Sequence, residues 1–335
     1  MQKKKASISD VARRAKVSIA TVSRVINNLS TVAPENRAKV EEAIAHLKFI
    51  PNISAQRLAS GHNNSIGLVM PGYPGMFHSF YAIEIIRGIG HACETLNLDL
   101  VFHITNGFNP INYNAVGGII FADIIENRRQ VEEAVSLGIP CMIINNQADE
   151  LEVDYIAVDN RLGGEIAADY LYSLGHRKIA TVTGNLNTQS GALRFEGFKN
   201  YLDNKKCVCP ETFIFKGDYS RRSAHMAIEQ FLALGKDRPT SIFAASDEMA
   251  SEMIGVIMEN GLKVPDDISV IGFDDGPSCL FGTVGLTTVK QPLFEMAEKA
   301  VRLLHNVIQH KDQTRQRLTL PPQLVIRESC GSFRK

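Results

Sequence analysis

The chain has 335 residues, 44% of them hydrophobic, enough for two or three domains with ordinary cores. No apolar run reaches the roughly 18 residues a membrane helix needs, and the basic start MQKKKASISD has no apolar stretch behind it, so neither a membrane span nor a secretory signal is expected and the expected compartment is the cytoplasm. The formal net charge of zero joins unlike parts: residues 1–62 carry eleven Lys/Arg and four Asp/Glu, net +7, and the remainder 25 and 32, net −7, so only the first part suits a polyanion.

Taken in chain order, the first fifty residues predict three short helices. Ser7 with Asp10 has the form of a helix-start cap, and Ile8, Val11 and Ala12 then share a face. The AKVS stretch breaks the pattern. A second helix is expected from about Ile19 to Asn27, with Ser18 as its N-cap. Pro34 fits the first turn of a third helix, on which Val40, Ala43, Ile44 and Leu47 line up. Two helices across a tight turn, with a third packed on them, make a helix-turn-helix unit. Pro51 marks a boundary; NISAQRLASG (52–61) is a short helical candidate ended by Gly61, and HNNS reads as a linker.

From Ser65 the chain alternates. Apolar, β-rich runs appear at SIGLVMP, LDLVFHI, GGIIFA, IPCMIIN, KIATVTG, SIFAA and ISVIGF, and helical patterns such as YAIEIIRGIGHACETL, GGEIAADYLYSLG and ASEMIGVIMENG fall between most of them. Such a βαβ series makes parallel sheets covered by helices, here long enough for two sheets. Ligands bind at the carboxyl ends of such strands, which puts the expected site in a cleft between two lobes. One connection is stripped: Thr105 to Val116, with four Asn and a Pro, argues against a full helix.

Enzyme signatures are thin. There is no phosphate loop, no H-E-x-x-H and no G-x-S-x-G. Gly88-Ile-Gly90 lies in a helical pattern and reads as a close-packing spot. His305 and His310 are poorly spaced for a shared metal. Of six cysteines only Cys207 and Cys209 are close, and a structural zinc site needs a second cluster, so free thiols are expected and neither metal nor cofactor.

The N-terminal motifs are far more specific. The pattern DVA..A.VS..TVSRV.N, followed by R..V..AI..L.F.PN..A..L..G, resembles the DNA-binding headpiece of the lactose-repressor (LacI/GalR) family almost throughout. IGLVMP, VDNRLGGEIAADYLYSLGHRKIATVTG, R.EGF, FAASDEMA, VPDDISVIGFDD, LTTVKQP and LPPQLVIRES are similar to that family's sensing core. The resemblance implies an all-α helix-turn-helix headpiece before a two-lobed α/β core of the periplasmic-binding-protein type with parallel sheets. The expected division is headpiece 1–50, hinge helix and linker 51–62, and effector-binding and dimerisation core 63–335, with lobe one at about 63–160 and 290–322 and lobe two at about 161–289 and 323–331.

Family and physics together assign roles in the headpiece. Ser18, Thr21 and Ser23 are short donors suited to phosphate oxygens, or simple caps and surface hydroxyls. Ile19 and Ala20 stand where the family reads bases and offer only apolar contact, for example to thymine methyls. Arg24 can grip a guanine edge or clamp a phosphate, and Asn27 closes the helix near phosphate. The resemblance places the hinge leucine at Leu58, with Ala55 one turn earlier, where paired hinges wedge open a minor-groove step.

In the core the family's pocket arginine matches Arg194, its aspartate Asp274, its aromatic wall Tyr219, a first-lobe aromatic Tyr81, and an acidic position Asp247, preceded here by Ser246 where Asn is usual. The bland alternative for Arg194 and Asp274 is a salt bridge between strand-end loops. Purine-binding members carry an arginine where this chain has Thr188, which points away from a purine. The third helix lacks the usual serine cap at Ala33, a cost of roughly 1 kcal/mol. The short Thr105–Val116 crossover touches the family's first-lobe dimer contact. The expected function is a homodimeric repressor on a pseudo-palindromic double-stranded DNA operator, controlled by a small, sugar-like effector. A sugar-acting enzyme with a DNA-binding headpiece is the alternative.

Overall fold

The computed structural model describes residues 6–26, 29–49, 64–72, 75–107, 110–122, 124, 127–310 and 314–333. Two compact units divide the chain, residues 1–63 and 64–335.

In the first unit, α1 (Ile8–Ala15), α2 (Ile19–Ile26) and α3 (Pro34–Leu47) follow one another. The start of α1 is a full capping box: Ser7 accepts from the Asp10 N–H, and the Asp10 carboxylate accepts from the Ser7 N–H. Its end is Lys16 in the left-handed region, φ 54°, which turns the chain sharply into α2. Ser18 Oγ accepts from the Thr21 N–H at 3.1 Å, capping α2. Val11, Ala12, Ala15, Val22, Val25, Val40 and Ala43 form the core, flanked by Ile44, Leu47 and Phe49.

α3 starts at Ala33 with no side-chain cap. Its first-turn N–H groups therefore lack the oxygen that Ser, Thr or Asp would supply. Ala33→Ser is expected to stabilise this unit by about 1 kcal/mol, read as slower amide exchange along α3; unchanged exchange would mean the capping deficit is met by solvent.

Among its described residues the second unit carries two six-stranded sheets. The first contains β1 (Ser65–Pro71), β2 (Asp99–Thr105), β3 (Gly118–Phe121), β4 (Cys141–Ile144), β5 (Asp154–Val158) and β11 (Arg317–Leu320), in the order β11-β5-β4-β3-β1-β2 and parallel throughout. The second contains β6 (Ile179–Val182), β7 (Ile214–Phe215), β8 (Ser241–Ala244), β9 (Ser269–Asp274), β10 (Thr287–Lys290) and β12 (Gln323–Val325), in the order β12-β10-β9-β8-β6-β7; only the β10–β12 pair is antiparallel. The chain crosses from the first lobe to the second after β5, back after β10, and again between β11 and β12.

Helices cover both faces of each sheet, which explains why the strands read as apolar runs without alternation. On the first lobe, α4 (Phe80–Thr95) and α11 (Leu293–His310) close one face and α5 (Arg128–Ser136) the other. On the second, α8 (Arg221–Leu232) and α9 (Asp247–Glu259) face α6 (Asn160–Ser173) and α7 (Gln189–Asn204) across the sheet; a short α10 (Ser278–Phe281) follows β9. Gly88 is a close-packing spot: a Cβ there would lie 2.4 Å from the Phe294 carbonyl oxygen, so its absence lets α4 and α11 touch.

The β2–β3 crossover has no α-helix among its described residues, only a 3-10 turn at Tyr113–Ala115. Buried Ile111, Tyr113 and Val116 fill the gap, and the Tyr113 hydroxyl donates to the Gln130 carbonyl and to Glu133 on α5. Among the described residues no helix is long and apolar enough to cross a membrane, and all six cysteines are free.

Candidate functional site

On the headpiece, the periodicity of α2 separates two duties. Val22 and Val25 point into the core. Ser18, Ile19, Ala20 and Arg24 are exposed, Ile19 by 50%, a large value for an isoleucine. Thr21 and Ser23 are half-buried. The Ser18 and Thr21 hydroxyls lie 2.9 Å apart and bond each other, so one proton between them must turn outward before both can serve phosphates. Asn27, Ala55 and Leu58, with the expected hinge over 51–62, lie outside the described residues.

The second-lobe site is built at the carboxyl ends of β6, β8 and β9. Arg194 is 5% exposed. Its Nε donates to Asn160 Oδ1 (2.8 Å) and its Nη1 to the Ala245 carbonyl (2.8 Å), while the guanidinium plane lies 3.7 Å from the Phe273 ring centroid. Nη1 is 3.9 Å from Asp274 Oδ1, beyond hydrogen-bond reach. The pair is therefore held close without closing on itself. Asp274 Oδ1 accepts from Gln291 Nε2. Among the described residues, Arg194 Nη2 donates to nothing and Asp274 Oδ2 accepts from nothing. An open donor beside an open acceptor is what one polyol needs for neighbouring hydroxyls.

Asp274 ends β9 with φ 126°, and Asp275 follows at 63°. Strain of this kind is kept where a side chain must be aimed. Asp275 is anchored by Arg327 (2.6 Å) and Lys290 (3.5 Å). Burial pushes the Asp274 carboxyl up to about 7, against the pull of Arg194. Asp247 rises to about 6, again chiefly through burial. Both carboxyls bind protons more tightly folded than unfolded, so the stability they contribute is present at low pH and is lost as pH rises from about 4 to about 7. Asp274→Asn is expected to raise the melting temperature at pH 8 and to change it little at pH 4; equal gains at both would exclude titration as the cause.

The expected residues fall in different places. Tyr219 joins Arg194 and Asp274: its ring lies 6.0 Å from the guanidinium and its hydroxyl 3.4 Å from Ser190 Oγ. It fits only because residue 184 is glycine, where a Cβ would be 2.0 Å from the ring. Asp247 sits behind the site. Its Oδ2 accepts from the Gly276 N–H (2.8 Å) and its Oδ1 from the Thr288 hydroxyl (2.5 Å), so it braces the Asp274 loop and shows no open oxygen. Ser246 caps α9. Tyr81 belongs to lobe one and donates to the Ala122 carbonyl at the end of β3. Thr188 caps α7 by accepting from the Gly191 N–H.

Sequence reasoning missed several groups. Asn160 and Phe273 cradle Arg194. Gln291 Oε1, and Asn145 Oδ1 on a left-handed residue (φ 62°) at the end of β4, are both buried and have no hydrogen-bond partner among the described residues. Buried orphan acceptors are costly, and they mark places where a ligand donor would be welcome. A faint signal existed for Asn160 and Phe273, which stand in the VDNRLGG and IGFDD stretches.

A helix-turn-helix unit preceding a two-lobed α/β core, with a polar site at the strand ends, defines a ligand-responsive DNA-binding regulator. Residues 7–52 match the family described as bacterial regulatory proteins, lacI family, and residues 168–330 a periplasmic binding protein-like domain. The HTH-type transcriptional regulator DegA of Bacillus subtilis is 33% identical, with 98% of each chain covered. The ribose operon repressor of Haemophilus influenzae is 29% identical over 98% of this chain and 100% of its own. The lac repressor dimer bound to operator and the anti-inducer ONPF superposes with a TM-score of 0.85 at 29% identity, covering 97% of this chain and 99% of that one. The chain belongs to the lacI family of bacterial regulatory proteins. It is a DNA-binding transcriptional regulator and not an enzyme, which sets aside the sugar-acting alternative.

Proposed function

We propose that this protein is a cytoplasmic homodimeric repressor whose operator affinity is set by an uncharged, sugar-like effector at Arg194, Asp274 and Tyr219, release from DNA being the response. The observation that carries the effector is the open Arg194 Nη2 beside the open Asp274 Oδ2, with Tyr219 as the stacking face. Arg194 already serves Asn160 and Ala245 and faces a carboxylate, surroundings that favour hydroxyls over a phosphate. Thr188 is spent as a helix cap and supplies no cation for a purine. The ribose-operon relative and the ligand-bound lac repressor support the same class. A thermal-shift panel of neutral monosaccharides, sugar phosphates and purines tests it. A neutral sugar at a hundred times its Kd should add about 2.7 kcal/mol of stability; a shift confined to phosphates or purines overturns the proposal.

The dimer is supported by lobe two's surface, where Leu280 and Phe281 on α10 are 66% and 84% exposed, values that ask for a partner. A two-fold dimer reads a two-fold site. We assign the reading edge to Ser18, Ile19, Ala20, Thr21, Ser23 and Arg24, with Asn27 at a phosphate and Leu58, with Ala55, as the minor-groove wedge. Arg24→Ala should then weaken specific binding by roughly 1–3 kcal/mol and non-specific binding far less. Equal losses in the two would make Arg24 a phosphate clamp.

A further inference from the structure

The two lobes of the core meet at a pair of amide groups. Gln147 lies in the loop between β4 and β5 of lobe one, and Gln189 is the first residue of α7 in lobe two. The Gln147 backbone N–H donates to Gln189 Oε1 at 2.7 Å, and Gln189 Nε2 donates back to the Gln147 carbonyl at 2.9 Å. One planar side-chain amide thus satisfies both backbone groups of a single residue, the reciprocal exchange that two residues make in an antiparallel ladder. Both residues are half-buried, so water competes poorly for these groups. The side chain of Gln147 takes no part; its Nε2 turns to Thr319 Oγ1 on lobe one. A second cross-lobe contact is made where the Phe80 ring packs over Gly276 of the loop that carries Asp274.

The position of Gln189 gives the pair its meaning. Thr188 caps the helix, Gln189 grips lobe one, Ser190 touches the Tyr219 hydroxyl, and Arg194 follows on the same helix. A rigid turn therefore carries both the grip on lobe one and part of the pocket wall. We propose that Gln189 is a positioning residue that locks the two lobes together through the backbone of Gln147, so that their separation is set from the first turn of α7. Only Gln offers donor and acceptor at this reach; Asn is a methylene shorter, and Glu and Met lack the donor.

The test is hydrogen exchange and small-angle scattering on the full chain without added ligand. Gln189→Ala should speed exchange of the Gln147 amide roughly 5- to 30-fold, as expected for one or two lost hydrogen bonds. It should also increase the radius of gyration and leave the amides of β8 unchanged. Gln147→Ala should alter neither quantity, because the backbone makes the contact. If Gln189→Ala does not fold, Gln189→Met, similar in volume but with neither group, gives the same readout. Wild-type exchange at Gln147 in a folded Gln189 variant overturns the lock, as does a Gln147→Ala protein that behaves like Gln189→Ala.

Discussion

Arg194→Ala is expected to abolish the response to effector while leaving operator affinity near wild type. Two charged hydrogen bonds, to Asn160 and to the Ala245 carbonyl, hold the guanidinium over Phe273. The substitution removes the open Nη2 donor outright. It also removes the one influence that lowers the Asp274 carboxyl most, so a group already at about 7 moves further up and is neutral at neutral pH. The site loses a donor, and with it the ionised share of its acceptor. A hydrogen bond to a charged group is worth about 1.5–3 kcal/mol, so losing two of them weakens effector binding by roughly 100-fold or more. Arg194→Lys keeps the charge but not the planar fork, and should recover little. Calorimetric effector affinity, beside operator affinity with and without effector, measures this. A folded Arg194→Ala protein that still responds would place the effector elsewhere.

Much of the fold was legible because the elements that carry it are long or capped. The Ser7–Asp10 box, the α2 start at Ser18 and the uncapped Ala33 are local chemistry, and each stands as expected. The seven apolar runs became strands because parallel sheets bury both faces. Among the described strands outside those runs, β7 has two residues, and β11 lies at an edge and shows the alternate exposure typical of a border. A strand of two residues has too few positions for any pattern to show.

The site divides in the same way. Arg194, Tyr219 and Asp274 converge, since family motif and strand-end logic both mark them. Asp247 looks alike in sequence, yet its burial and its bonds to Gly276 and Thr288 make it a brace. Gln189 and Asn145 carry no local signature, and Asn160 only the faint one of its motif, because their roles exist only once α6, α7 and the two lobes meet.

Gly197 shows how that meeting is made, and its replacement is the second large effect. The R.EGF motif draws the eye to the arginine, but its glycine brings the helices together. A Cβ on Gly197 would lie 2.0 Å from the Arg161 carbonyl oxygen, and one on Gly164 would lie 2.0 Å from the Arg194 carbonyl oxygen. The two glycines face each other's helix, so α6 and α7 touch backbone to backbone and Asn160 comes within reach of Arg194. In an exposed helix Gly→Ala would gain about 1 kcal/mol of propensity. Here the added carbon meets a carbonyl that cannot turn aside, and overpacking costs about 1–3 kcal/mol or more, so the sign reverses. Gly197→Ala is expected to lower core stability by roughly 1 kcal/mol once the propensity gain is offset, and Gly197→Val to unfold lobe two. Denaturant melts of Gly197→Ala against Arg194→Ala separate the two roles. The glycine variant should lose stability and effector binding in step, because parting the helices pulls Asn160 from Arg194. A Gly197→Ala protein as stable as wild type would show that α6 and α7 can part without cost, and the backbone contact could then not be what positions Arg194.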